Sequence, residues 1–216
     1  MGFLSESYKR RLLKLSGVKI ELKENVEGKH LVVVDIQPEY EDGFSSWLPD
    51  FVQYLNENYE SLSNLTFFYN GADTLGMISE SEYKSWWYEN GLDEEIVYDA
   101  HFYDKGYAFF RYCMDEHGHD ETVALVKHML DNDVHDSREL GEEFWNSFTE
   151  KYGYDDLREL MEFSDDAIHI PELIEEIQRY SNIVLCGGGI NECLKEVEIA
   201  LEAIDKPYTT LSRFVY

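Results

Sequence analysis

The sequence predicts an α/β fold: a doubly wound, mainly parallel sheet with helices on both faces and a helical insertion. Three observations carry that expectation. The run Leu31 to Val34 is apolar without polar alternation, as a strand buried on both faces requires. A second apolar run, Ile183 to Cys186, opens into three glycines. Stretches with helical apolar spacing separate the apolar runs, and such alternation implies right-handed crossovers and ligand binding beyond the carboxyl ends of the strands.

Taken in order, residues 3–16 place Leu4, Tyr8, Leu12 and Leu15 at helical spacing among Lys9, Arg10, Arg11 and Lys14. This marks 1–28 as an N-terminal arm, a surface helix packed on the domain or on a second copy in a homo-oligomer. HLVVVD follows as the first strand, ended by Asp35, and Pro38 forbids its continuation. A helix is expected over 48–60, with Phe51, Leu55 and Tyr59 on one face, and then a strand LTFFYN closed by Asn70-Gly71. Trp86 and Trp87 fall in a short helix over 81–90, and EIVYDAHFYDKG reads as a third strand. From 107 to 162 the pattern is helical, spaced by Val123, Val126 and Leu130, by Leu140, Phe144 and Phe148, and by Leu157, Leu160 and Met161. This insertion offers either a lid over a site or a surface for a partner. Pro171 opens a helix that feeds the strand NIVLCGGG; a helix runs from Asn191 to about Ile204, and TTLSRFVY forms a last strand. One domain spanning 1–216 accommodates all of it.

Composition narrows the function classes. With 18 basic and 45 acidic side chains the net charge is −27, which repels phosphate backbones and anionic headgroups, so nucleic acid and membranes are not expected as partners. A small-molecule substrate or a basic protein fits that field. Cys113, Cys186 and Cys193 form an odd set without C-x-x-C spacing, which speaks against a disulfide framework or thiolate metal site and for a reducing, cytoplasmic location.

Chemistry-bearing residues cluster after the expected strands: Asp35, Lys105 and Cys193. An acid, an amine and a thiol make a nucleophilic set, since the amine stabilises the thiolate while the acid moves the proton. Cys193 starts a helix, whose N–H groups favour thiolate, whereas Glu192 and Glu196 oppose it.

Three segments resemble the isochorismatase-like cysteine hydrolases. VVVDIQ (32–37) looks like their first strand with its catalytic Asp, KGYAFF (105–110) like their Lys segment, and VLCGGGINECL (184–194) like their strand, glycine turn and nucleophile. The resemblance implies Asp35, Lys105 and Cys193 as a catalytic triad, no cofactor, and an oxyanion turn at Gly188, Gly189 and Ile190 with a cis bond between the two glycines. Ile190 stands where that family has Thr or Ser, and Glu198 where it has Ala. The metal-binding histidines of nicotinamidases have no counterpart, since NGADTLGM offers Asp73 without a His. The acidic, tyrosine-rich composition also resembles that of uncharacterised tailed-phage proteins.

Two other readings remain open. Asp35, Asp73 and Asp104 each follow an expected strand, where carboxylates hold Mg²⁺ for phosphohydrolase chemistry. Alternatively the chain is a non-enzymatic, acidic interaction protein with Trp86, Trp87 and Trp145 as candidate contact residues, although core packing is the commoner use of each. The DEHGHD cluster at 115–120 reads as a solvated turn at Gly118, because residues two apart on a helix face different ways.

Overall fold

The computed structural model describes residues 26–72, 76–105, 113–115, 118–153 and 172–216. The arm at 3–16, Asp73, residues 106–110 of KGYAFF, His117, Leu157, Leu160, Met161 and Pro171 lie outside the described residues.

Five strands form one sheet: β1 (His30–Val34), β2 (Asn64–Tyr69), β3 (His101–Asp104), β4 (Ile183–Gly187) and β5 (Tyr208–Thr210), in the order β3-β2-β1-β4-β5. Every neighbouring pair is parallel. The registers Val34↔Phe68, Val34↔Gly187 and Tyr69↔Asp104 bring the carboxyl ends of four strands into one row. The chain moves outward from β1 through β2 to β3, then returns to the other side of β1 as β4. That reversal opens a crevice between β1 and β4, where α/β sheets bind ligands.

Successive strand side chains point to opposite faces, so the sheet builds two cores. Leu31, Val33, Phe67, Val184 and Cys186 face α1 (Glu41–Phe44), α2 (Leu48–Asn58), α3 (Glu80–Glu89) and α4 (Glu94–Asp99). Val32, Val34, Phe68 and Leu185 face α5 (His119–Asp131), α6 (Glu142–Tyr152), α7 (Glu172–Gln178) and α8 (Cys193–Ala203). Local chemistry sets the helix ends. Pro49 lies in the first turn of α2, Ser79 and Glu82 make a reciprocal capping box at α3, and left-handed Gly153 stops α6. Each large side chain sealed in these cores, such as Phe51, Phe67 or Trp87, contributes roughly 1.5–3 kcal/mol.

Two expectations change. EIVYDA is not strand: residues 94–99 form α4, because Glu94 and Glu95 suit the first turn of a helix while Ile96 and Val97 reach the core, and only HFYD pairs with β2. The last strand ends at Thr210. Leu211 N–H still donates to Leu185 O, but a 3-10 turn at Ser212–Phe214 then drives Phe214 against Phe51, with ring centroids 4.7 Å apart. In the described part of 107–162, α5 packs on α8, and Leu125, Val126, Met129 and Phe148 join the sheet core. Trp87 and Trp145 are buried in the cores. Among the described residues no helix is long and apolar enough to cross a membrane.

Candidate active site

Each strand in the row delivers one polar residue to the carboxyl edge. β1 ends at Val34 and the chain turns at Asp35, which has a left-handed φ of 47° while its N–H still donates to Phe68 O at 2.9 Å. A non-glycine residue held there costs of order 1–3 kcal/mol, and such strain concentrates at functional sites. β2 ends at Tyr69, placing Asn70 next to Asp35. Lys105 follows β3 and is tied by its N–H to Tyr69 O at 3.0 Å, so its side chain extends over the end of β2.

Lys105 Nζ therefore reaches three partners. It lies 3.1 Å from Asp35 Oδ2, donates to Asn70 Oδ1 at 3.2 Å, and stands 3.9 Å from Glu196 Oε2. All four side chains are buried. Asn70 is itself clamped: its N–H donates to Gln37 Oε1 at 2.8 Å, its amide donates to Tyr40 Oη at 3.1 Å, and Gln37 Nε2 donates to Asn70 O at 3.4 Å.

Cys193 enters from the other side of the crevice. Gly187 and Gly188, with φ of 77° and 63°, fold the chain back from β4 towards α8. A Cβ on Gly187 would collide with Val34 O and sit 2.9 Å from Ile36 Cγ1, so only glycine lets β4 lie this close to β1 beside the site. The turn brings Cys193, itself buried, within electrostatic reach of Asp35, Lys105 and Glu196.

The electrostatics follow from burial and sign. Burial alone would lower the Lys105 pKa, yet the Asp35 and Glu196 carboxylates outweigh it and hold the ammonium above its usual range. Burial pushes the Cys193 thiol up, the Asp35 and Glu196 charges add to that, and Lys105 opposes it. In the resting site, then, the cation is Lys105 and Cys193 is a protonated thiol. The sulfur becomes nucleophilic only as its proton leaves, and Asp35 is the adjacent acceptor.

The structure places Asp35, Lys105 and Cys193 around the same strand edge. The turn residues behave differently. Ile190 is 60% exposed, and its N–H donates to Tyr216 O at 2.8 Å, so this expected oxyanion donor is already engaged. Tyr216 N–H donates to Gly188 O at 3.2 Å and its hydroxyl to Asp35 O at 3.0 Å, laying Tyr216 along the turn. The peptide bonds among the described residues are trans, so the cis bond expected between Gly188 and Gly189 is not found. Left-handed Gly187 and Gly188 make the reversal instead. Glu198 does not perturb the site; it pairs with Lys195 at 2.9 Å. Of the acidic set, Asp35 is paired with Lys105, and Asp104 accepts the Gly71 N–H at 2.9 Å. Among the described residues no group of three or more His, Cys, Asp or Glu is placed to hold a metal ion. In the DEHGHD turn, Gly118 precedes α5 and His119 pairs with Glu202 at 2.8 Å.

Sequence reasoning missed Asn70 as a holder of Lys105, the burial of Glu196 and the position of Tyr216. The second had a usable signal: Glu196 lies three residues after Cys193, hence on the same helix face. The other two depend on contacts far apart in sequence.

The fold and this edge together define a class: a parallel α/β domain with a buried acid, amine and thiol at the switch point of its sheet. No family model, no curated protein and no solved structure matches the chain.

Proposed function

We propose that the chain is a cysteine hydrolase that cleaves a small-molecule amide or related acyl group by attack of the Cys193 sulfur. The observation supporting this most is the meeting of Asp35, Lys105 and Cys193 at one strand edge, from three elements that share no local sequence. As the S–C bond forms, the thiol proton passes to Asp35 and Lys105 balances the developing sulfur charge. Asp35 then returns the proton to the leaving amine as the C–N bond breaks. Water next attacks the thioester, giving a proton to Asp35, which restores it to the departing sulfur. The three cysteines carry no disulfide, in keeping with a reducing, cytoplasmic setting.

A panel of small amides tests this reading. Turnover should fall at least about 10³-fold in Cys193→Ala, with unfolding midpoint and circular dichroism unchanged; turnover that persists in the variant overturns it.

A second reading, an acidic interaction protein on a hydrolase-like fold, draws support from two observations: the thiol is held protonated, and the Ile190 N–H is engaged by Tyr216. It predicts no turnover by the unaltered protein and capture of a basic partner instead. The Mg²⁺ phosphohydrolase reading has less behind it, because Asp35 and Asp104 are engaged by Lys105 and the Gly71 N–H.

A further inference from the structure

Tyr216 spans the crevice that opens between β1 and β4, and it is held from both sides. On the β4 side its N–H donates to Gly188 O at 3.2 Å and its carbonyl accepts the Ile190 N–H at 2.8 Å. On the β1 side its hydroxyl donates to Asp35 O at 3.0 Å. The ring rests against Phe44 of α1, with centroids 5.7 Å apart, and lies so close to Gly43 that a Cβ there would collide with it. Burial raises the pKa of the phenol, and the nearby Asp35 and Cys193 add to the rise, so the hydroxyl stays a donor within electrostatic reach of the thiol. Cys193, at the far end of the same turn, is only 5% exposed.

The segment that carries Tyr216 is anchored just before it. Leu211 and Phe214 are buried, and the Phe214 ring packs on Phe51 at 4.7 Å and on Tyr54 at 5.4 Å between centroids. Tyr216 itself is only partly buried. A residue this close to a core anchor, held by a few hydrogen bonds and the face of one ring, can swing away without opening either core, because segments with few buried contacts open at far less cost than the whole fold.

We propose that Tyr216 is a gate on the site: a substrate reaches Cys193 only after the Tyr216 ring leaves the crevice, and the same movement releases Gly188 O and the Ile190 N–H to the substrate. This is regulation of the site described above, and it rests on the hydrolase reading in taking Cys193 as the reacting atom. An amide substrate presents a carbonyl and an N–H, the same two groups with which Tyr216 engages the turn, so the two compete for one place. Tethered beside its anchor, Tyr216 competes at high effective concentration, and loss of its ring should therefore have a large effect.

The test measures access to the thiol in the full chain. Each cysteine is alkylated with iodoacetamide on the folded protein at one mildly alkaline pH, and the rates are read by peptide mass spectrometry. Cys113 and Cys186 are buried in the two cores and serve as internal references. Tyr216→Ala, which keeps the backbone bonds but removes the ring, should raise the Cys193 rate at least about tenfold while Cys113 and Cys186 stay protected. Gly43→Ala leaves Tyr216 in the chain but pushes its ring aside with the new methyl group, and should raise the Cys193 rate in the same way. Tyr216→Phe keeps the ring and should change that rate by less than about threefold.

A Cys193 rate that is unmoved in folded Tyr216→Ala and Gly43→Ala overturns the gate. So does a gain in Tyr216→Phe as large as that in Tyr216→Ala, which takes the ring out of the barrier. Equal acceleration at all three cysteines also overturns it, since that is general loosening of the fold. Should Tyr216→Ala fail to fold, Gly43→Ala decides. Faster alkylation of Cys193 alone, with no amide hydrolysed by any of the proteins, supports the gate and removes the hydrolase reading. Amide hydrolysis that Cys193→Ala abolishes, with alkylation unmoved in both gate variants, keeps the hydrolase and removes the gate.

Discussion

The sheet buries polar groups at both of its ends, and the two ends solve the problem differently. At the amino edge, His30 Nε2 meets Thr66 Oγ1 at 2.8 Å and the His30 ring lies on Tyr180 at 4.0 Å between centroids. The Tyr180 hydroxyl donates to Glu176 at 2.5 Å, and that carboxylate also pairs with His101 and Arg179. Only Glu176 is buried with a charge, and its cations reach out to solvent. No residue of this cluster has a left-handed backbone. At the carboxyl edge, three buried ionisable side chains crowd one thiol, and Asp35 is held at positive φ. Paired, unstrained polar burial is what a stable fold needs. Crowded ionisable groups with backbone strain are a feature of functional sites.

Removing the central cation should break the carboxyl edge most severely. Lys105→Met takes the ammonium away from the buried Asp35 and Glu196 carboxylates and should cost about 3–5 kcal/mol in urea unfolding at neutral pH. A loss below about 1 kcal/mol would mean that the carboxylates are not held by this lysine.

Gly187→Ala should cost about 3 kcal/mol by the same measurement, since it joins a left-handed φ of 77° to a collision with the β1 backbone. The equivalent change at Gly28, which also has positive φ but open space around it, should cost only about 1 kcal/mol. Equal losses at both glycines would show that close approach of β4 to β1 contributes nothing.

The amino edge carries a smaller, pH-dependent signature. Burial, with the His101 charge adding to it, lowers the His30 pKa to about 4. A histidine whose folded pKa lies below its unfolded value of about 6.5 contributes its full stability above that value. The contribution is lost as pH falls from about 6.5 towards 4, because the unfolded chain takes up the proton first. Stability should therefore drop by about 2 kcal/mol across that window, and His30→Asn should flatten the drop. A profile identical in the variant would place the titration elsewhere.

Much of the fold was legible because its signals are local. An apolar run without alternation marks a strand covered on both faces, and both β1 and β4 carry one. The residues that end those runs, Asp35 and the glycines, were equally visible, and so were the candidate nucleophile and its lysine. EIVYDA misled because Ile96, Val97 and Tyr98 have strand-like composition, while burial of two of them from a single helical turn decided otherwise. In the described part of 107–162, amphipathic spacing identified helices but not the surface each covers.

By itself, then, the sequence determined an acidic parallel α/β chain with an acid, an amine and a thiol at the ends of its central strands, because periodicity, charge and glycine conformation are properties of neighbouring residues. The tertiary structure alone decided that Lys105 crosses the end of β2 to Asp35, that Asn70 is clamped beneath it, and that Glu196 turns inward to join them. It also brought Tyr216 to Asp35, 181 residues away in sequence. These contacts depend on strand register and helix packing across the whole sheet, and no local pattern encodes them.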